Sequence, residues 1–277
     1  MLQRPAKRWD RRAPSQSRGL YLLCWFLGTI LVALLVVPLI ALALSQSGQS
    51  LASVVRMGDV RDAIALSLEG AFLSAAIAAL MGVPLAYGLA RTTFPGKSVV
   101  AALVDLPLAV PHTVAGIALL MVLGRQGVLG APLQALVGLK FWGTLAGIVA
   151  AMLFVSAPYT VNAARMGFEA VDPRLEKIAR TLGLGPWRTF ARITLPLARR
   201  SIMTGVTLTY ARSISEFGAV VILAYYPMTA PVKIYELFLR FGLDQAAGAS
   251  VLLLAVSLAL FLILRTLSRG TPRRENR

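Results

Sequence analysis

From Leu20 to Leu44 the chain carries no charged side chain. At about 1.5 Å of rise per residue, a helix of this run is long enough to cross roughly 30 Å of hydrocarbon. Five further apolar segments have comparable reach, at 63–90, 98–124, 143–165, 201–225 and 246–264. Apolar segments of this length bury themselves in lipid as helices, so the expected fold class is an all-α polytopic membrane protein with six transmembrane helices. Composition agrees: 57% of residues are hydrophobic and 14% charged, against about 25% charged in a soluble domain.

The net charge of +16 must be read by position. Basic residues collect on the cytoplasmic side of membrane proteins. With the N-terminus inside, 21 of the 28 basic residues fall in cytoplasmic segments. Six precede the first span (Arg4, Lys7, Arg8, Arg11, Arg12, Arg18), and two are Arg91 and Lys97. Eight lie from Arg165 to Arg200 and five from Arg265 onward. Outside fall six: Arg56, Arg61, Arg125, Lys140, Lys233 and Arg240. Both termini are therefore expected in the cytoplasm. Neighbouring anionic lipid accounts for the charge, and no nucleic-acid partner is needed. Ala41-Leu42-Ala43 resembles a signal-cleavage site, but the apolar run before it exceeds the ~7–15 residues of a signal peptide, so a retained first span is expected. The expected organisation is a basic tail at 1–19, a first helix at 20–44, a five-helix transmembrane domain at 60–266 and a basic tail at 267–277.

No catalytic constellation is visible. Gly96-Lys97-Ser98 suggests a phosphate-binding loop, but the required first glycine position holds Arg91, and the segment follows a membrane helix. Cys24 and His112 are the sole cysteine and histidine, which excludes a disulfide and a zinc or haem site built from this chain alone. The expectation is a chain that is not an enzyme and holds no cofactor. Work against a gradient would draw energy from a partner or an ion gradient.

Five ionisable residues fall inside the expected spans: Glu69, Asp105, His112, Arg212 and Glu216. Each costs on the order of 2.5–3.5 kcal/mol near a helix centre, so such residues normally face a protein interior or a watery path. Thr209, Arg212, Ser213 and Glu216 fall at i, i+3, i+4 and i+7 and are expected to share one face of the fifth span, with Arg212 and Glu216 paired. Pro107 and Pro111 interrupt the third span and free backbone carbonyls. Pro111, His112 and Thr113 are thereby candidates to line the same path. For His112, a hydrogen bond to a freed carbonyl is favoured over a proton relay. Glu69 and Asp105 read as packing or boundary charges.

Between the fourth and fifth spans lies a basic segment, FEAVDPRLEKIARTLGLGPWRTFARITLP. Asp172-Pro173 reads as a helix start. Leu175, Ile178, Ala179 and Leu182 make an apolar face, and Gly183 is a stop. Pro186 opens a second helix, with Trp187, Phe190, Ala191 and Thr194 on one face, and Pro196 closes it. The stretch is too short for a DNA-reading module. A rigid pair presented to a cytoplasmic partner fits better than one lying on lipid.

This segment resembles the EAA loop of ABC-transporter permeases of the type I importer class. There a glycine is followed after nine residues by I-x-L-P, and here Gly183 leads to Ile193-Thr194-Leu195-Pro196. Ala179-Arg180-Thr181-Leu182-Gly183 is also similar to the family. The departure is Lys177-Ile178-Ala179 where the family has E-A-A, with Glu176 one position earlier. The resemblance covers about residues 60–265 and implies a type I ABC importer permease fold with the coupling loop at 168–197. Glu176, Lys177, Ala179, Leu182, Gly183, Pro186, Ile193, Leu195 and Pro196 would then meet the ATPase. It further implies a homodimer, two cytoplasmic ATPase subunits that carry the ATP and magnesium, an external substrate-binding protein, and a multi-pass location in a prokaryotic inner membrane. Ala211–Phe238 and Leu106–Leu120 look most like molybdate/tungstate permeases, with sulfate permeases as the alternative. An ion-coupled secondary transporter is the rival of another class, but it predicts an inverted repeat, none is evident, and it leaves the loop unexplained.

Overall fold

The computed structural model describes residues 17–268. The two basic tails expected at the ends lie largely outside these residues. The chain divides into two units, residues 1–47 and 48–277. The first unit holds α1 (Ser17–Leu44), a single apolar helix. Within it Thr29 donates its hydroxyl to the Trp25 carbonyl at 2.8 Å. Its one threonine proton is thus satisfied without water, as a lipid environment requires.

The second unit begins with α2 (Gly48–Arg56) and α3 (Gly58–Arg91). It continues with α4 (Lys97–Ala109), α5 (His112–Leu123), α6 (Gly130–Val137) and α7 (Leu145–Glu169). Then come α8 (Pro173–Thr181), α9 (Pro186–Thr189), a π-helical turn (Phe190–Thr194) and α10 (Leu195–Ile214). The last elements are α11 (Gly218–Leu223), α12 (Ala230–Phe241) and α13 (Leu243–Ser268). There is no strand among the described residues.

Helices α3, α7 and α10 pack on one another and form the centre of this unit. The α3 residues that face inward are mostly small: Gly70, Ala71, Ser74, Ala75, Ala78, Gly82 and Ala86 are all buried. Small residues let helix backbones approach closely where lipid offers no hydrophobic drive for association. A Cβ on Gly82 would stand 3.0 Å from Val161 Cγ2 on α7. At one end, Ile148, Met152, Val155, Ile214, Val220 and Leu223 make a core. At the other, Leu89, Val161, Phe168, Ala198 and Ile202 do so.

Four helices among the described residues are long and apolar enough to cross a membrane: α1, α3, α7 and α13. A fifth span is formed if α4 and α5, bent by 113° at their junction, are one broken crossing. The interruption expected from the prolines falls at Val110-Pro111. Val110 is extended, as a residue before proline prefers, and α5 starts directly after Pro111. The continuous fifth span expected at 201–225 is not what forms. Helix α10, which carries Arg199, Arg200 and Arg212, ends at Ile214, and α11 restarts at Gly218. Broken backbone of this kind is tolerated at membrane depth only against protein or a watery cavity.

Candidate functional site

The basic segment after α7 folds much as its punctuation dictates. Asp172 caps α8, its carboxylate accepting the Arg174 N–H at 2.8 Å. Helix α8 ends at Thr181, and Gly183 just beyond it has a φ of +87°, open to glycine and strained for other residues. The Gly183 N–H donates to the Arg180 carbonyl, and the Leu184 N–H reaches back to the Ala179 carbonyl, both at 3.0 Å. That pair of bonds is a Schellman closure, which satisfies the orphan carbonyls and fixes the exit direction. Pro186 opens α9, as expected. Pro196 does not close a helix. The π turn runs on into α10, with Pro196 in its first turn. The wider turn ahead eases the clash of the proline ring with the preceding carbonyls.

The apolar face expected on α8 splits. Ala179 is buried, whereas Leu175 and Ile178 are exposed and Leu182 is 75% exposed. On the next turn Trp187 is 83% exposed. Large apolar side chains held out by a rigid turn form a protein-binding surface more readily than a lone surface leucine would. Lys177, at the position where the resemblance expects a glutamate, is exposed beside them.

Glu176 points the other way and is buried. One carboxylate oxygen, Oε1, accepts from Arg91 Nε on α3 and from the Thr194 hydroxyl in the π turn, each at 2.9 Å. Arg91 Nη2 donates in addition to the Val171 carbonyl at 2.9 Å. Beside this bracket, Tyr87 packs edge-on against Phe168 (5.3 Å between centroids) and Phe190 (4.7 Å). Helix α3, the end of α7 and the far end of the loop are thus joined by one ion pair and one aromatic cluster. A charge-assisted network with little water access is costly to break from one side.

A second cluster sits at the break between α10 and α11. Glu216 is 0% exposed. Its Oε2 accepts from Arg212 Nη2 at 2.9 Å, and its Oε1 accepts the Ala219 N–H at 2.9 Å, tying α11 to the break. Arg212 Nη2 also meets His112 Nε2 at 2.7 Å. An arginine can only donate, so Nε2 accepts and the ring proton sits on Nδ1, 3.8 Å from Glu216 Oε2. The Arg212–Glu216 pair expected from sequence is present. The freed-carbonyl bond expected for His112 is not, because its ring is taken by Arg212.

The common face expected for Thr209, Arg212, Ser213 and Glu216 forms only in part. Thr209 donates to the Ser156 carbonyl at 3.0 Å and lies 2.7 Å from the Thr160 hydroxyl. Ser213 lies 2.8 Å from Ser156 and 3.2 Å from Ser74. Both are buried between α10, α7 and α3. At ~100° per residue, Arg212 stands well round the helix from Ser213, and Glu216 lies past the helix end altogether. The side of α10 left exposed carries Thr204 and Leu208, with Arg212 at its edge and Ser215 just past the helix end. Pro111 and Thr113 are exposed as well, and His112 is half-buried. Asp105 accepts from Asn162 Nδ2 at 2.6 Å across α4 and α7. Glu69 is exposed on α3.

The start of α5 and all of α11 are in close contact. A Cβ on Gly218 would meet His112 Cβ at 2.7 Å, and one on Gly116 would meet the Ala219 Cα at 2.9 Å. Sequence reading passed over these two glycines, since neither belongs to a turn motif.

Comparison with known proteins places this arrangement. Residues 78–271 match the family described as binding-protein-dependent transport system inner membrane component. The molybdate/tungstate transport system permease protein of Thermococcus kodakarensis is 47% identical over 87% of this chain and 93% of its own length. The molybdenum transport system permease protein of Escherichia coli K12 is 37% identical over 73% of this chain and 90% of its own length. Among solved structures, a bacterial ABC transporter that imports the acidic polysaccharide alginate aligns with a TM-score of 0.74 at 20% identity, over 93% of this chain and 98% of the other.

Proposed function

This chain belongs to the family of binding-protein-dependent transport system inner membrane components, and on that footing we propose that it passes molybdate or tungstate through the inner membrane as the permease of an ABC importer. It is a multi-pass transport subunit with the fold of ABC importer permeases. Two copies enclose the path, and ATP is hydrolysed on two cytoplasmic partner subunits. An external binding protein delivers the anion.

The observation that carries the reading is the loop from Pro173 to Thr194. Leu175, Ile178, Leu182 and Trp187 are presented outward on a turn fixed by Gly183, while Glu176 anchors its inner side. Docking of the ATPase on that surface turns the loop. The turn is passed to α10 through the chain and to α3 through the Arg91–Glu176 bracket. The path runs along the exposed side of α10, past Thr204, Arg212 and Ser215, and past Pro111, His112 and Thr113 at the break of α4 and α5. Arg212 supplies the positive charge that a passing dianion needs. Thr209 and Ser213 hold the helices together rather than meeting the cargo. Glu216 orients Arg212 and caps α11.

The test is uptake of labelled tungstate, molybdate and sulfate into vesicles holding the permease, its ATPase and its binding protein. Molybdate and tungstate are expected to enter only with ATP and all three components. Uptake without the ATPase refutes the reading in favour of a secondary transporter, and a preference for sulfate refutes the cargo.

Glu176 allows a second test. Removing its carboxylate leaves the largely buried Arg91 without a counter-charge, a loss of about 3–5 kcal/mol from the bracket. In Glu176→Ala the ATPase still docks on the exposed side chains and hydrolyses ATP, but α3 no longer follows the loop. The expected result is at least a tenfold rise in ATP hydrolysed per oxyanion transported. An unchanged ratio, with both activities falling together, would show that Glu176 only stabilises the fold.

A further inference from the structure

Between α5 and α7 the chain makes a tightly wound loop, Gly124-Arg125-Gln126-Gly127-Val128-Leu129-Gly130. The Gly127 N–H donates to the Gly124 carbonyl at 2.9 Å, and the Leu129 N–H to the Val122 carbonyl at 2.9 Å. A Cβ on Gly124 would overlap the Leu120 carbonyl oxygen, and one on Gly130 would overlap that of Gly124. The loop is therefore closed on itself with no room for side chains at its turning points. Its single charged residue, Arg125, projects from it exposed.

Arg125 borders two adjoining cavities. One, of about 310 Å³, is lined by Arg125, Lys140, Gln134, Thr144, Phe141 and Trp142, among others. The other, of about 500 Å³, shares Gly124, Arg125 and Trp142 with it. Neither is lined by an acidic side chain, and the sequence holds no Asp or Glu between Asp105 and Glu169. Arg125 and Lys140 form no ion pair among the described residues. The basic groups of α12 differ. Lys233 is held by Asp59 at 2.6 Å and Glu236 at 2.7 Å, and Arg240 by Glu236 at 3.1 Å. Two uncompensated cations at one recess favour an anion there, and a guanidinium fork suits a tetrahedral oxyanion in particular. A volume of about 310 Å³ corresponds to roughly ten waters at ~30 Å³ each, enough for such an ion with part of its hydration shell.

The recess stands at the start of α7, and the ATPase-docking loop follows the end of that helix. The two are separated by 25 residues of helix, roughly 37 Å at 1.5 Å per residue. Resting on the reading of this chain as an oxyanion permease, we infer that Arg125 and Lys140, with the Gln134 amide, form an oxyanion-accepting vestibule at the outer mouth. It takes the anion as the binding protein releases it and holds it ahead of Arg212.

The test measures equilibrium binding of labelled tungstate to the permease–ATPase complex, without binding protein or ATP, in vesicles of zwitterionic lipid. The wild type is expected to bind, with affinity that falls as salt rises. Arg125→Gln with Lys140→Gln should lose at least tenfold in affinity and need at least tenfold more loaded binding protein for half-maximal uptake. The charge-keeping pair Arg125→Lys with Lys140→Arg should retain most of the binding. Three outcomes overturn the site while leaving the permease reading intact. One is binding and uptake unchanged in the Gln variant. Another is a loss confined to association with the binding protein, which would make the recess a docking surface. The last is loss of wild-type tungstate binding when anionic lipid is added, which would assign the recess to a lipid phosphate. A wild type that transports no oxyanion at all sinks the permease reading instead.

Discussion

Replacing Leu182 by glutamate, or Gly183 by proline, abolishes association with the ATPase while the chain still inserts in the membrane. Leu182 is 75% exposed, so a charge there disturbs nothing within the chain. It does place an uncompensated carboxylate in the middle of the proposed docking surface. Apolar anchors at the centre of an interface are worth about 2–4 kcal/mol each, so docking should weaken roughly 30- to 1000-fold. Proline at 183 acts differently. Its φ is fixed near −65°, whereas the native φ is +87°, and it lacks the N–H that Gly183 donates to Arg180. The Schellman closure is lost and Leu184 onward leaves in another direction. Co-purification of the ATPase with each variant, beside a count of membrane-inserted permease, checks both. Retained association in either variant would show that the loop is not the dock.

Nearly as large an effect is expected at the break between α10 and α11. In Glu216→Gln, Arg212 keeps its charge and loses its counter-ion, while His112 offers only a neutral acceptor. Removing one member of a buried pair costs about 3–5 kcal/mol, enough to lower initial uptake on the order of 100-fold. Glu216→Gln combined with Arg212→Gln removes the stranded charge and should transport about tenfold better than the single variant. Non-additivity of this sign is the mark of two residues acting together. Losses that simply add would mean that the carboxylate and the guanidinium serve separate ends. Initial rates at equal membrane content of permease decide between these.

How much of this could be read from the chain depends on how local the cause is. Asp172-Pro173, Gly183 and Pro186 act within a turn of themselves, so the outline of the loop was legible. Pro111 likewise announced the break before α5. The stop at Ile214 had no such signal. Ser215 and Glu216 could continue a helix, and what ends it is tertiary: Arg212, His112 and the Ala219 N–H gather round one carboxylate. Glu176 was expected to meet the ATPase, and its turn inward was hidden for the same reason, since its partner Arg91 lies 85 residues away. Periodicity also assigned Thr209 and Ser213 to a path, because a hydroxyl in a membrane helix fits a watery groove and a helix seam equally well. Helix α12 escaped notice because a search for unbroken apolar spans passes over a short helix carrying Lys233, Glu236 and Arg240.

The seam among α3, α7 and α10 has a mechanical side. Ser74, Ser156 and Ser213 meet there through interchangeable hydroxyls, flanked on α3 by alanines and glycines. Around Ser74 the buried residues of α3 are small, and the long side chains of α7 that reach α3, Ile148 and Met152, seat one turn away at Gly70. A hydroxyl can trade one acceptor for another over a short slide, whereas an interlocked leucine must climb out of its hole. The joint that holds the bundle together is therefore also a bearing around Ser74, with Ile148 and Met152 at Gly70 and Val161 at Gly82 as its stops. A push delivered at the end of α3 that Arg91 ties to the loop can travel along the bundle as a short shear of α3 against α7 and α10.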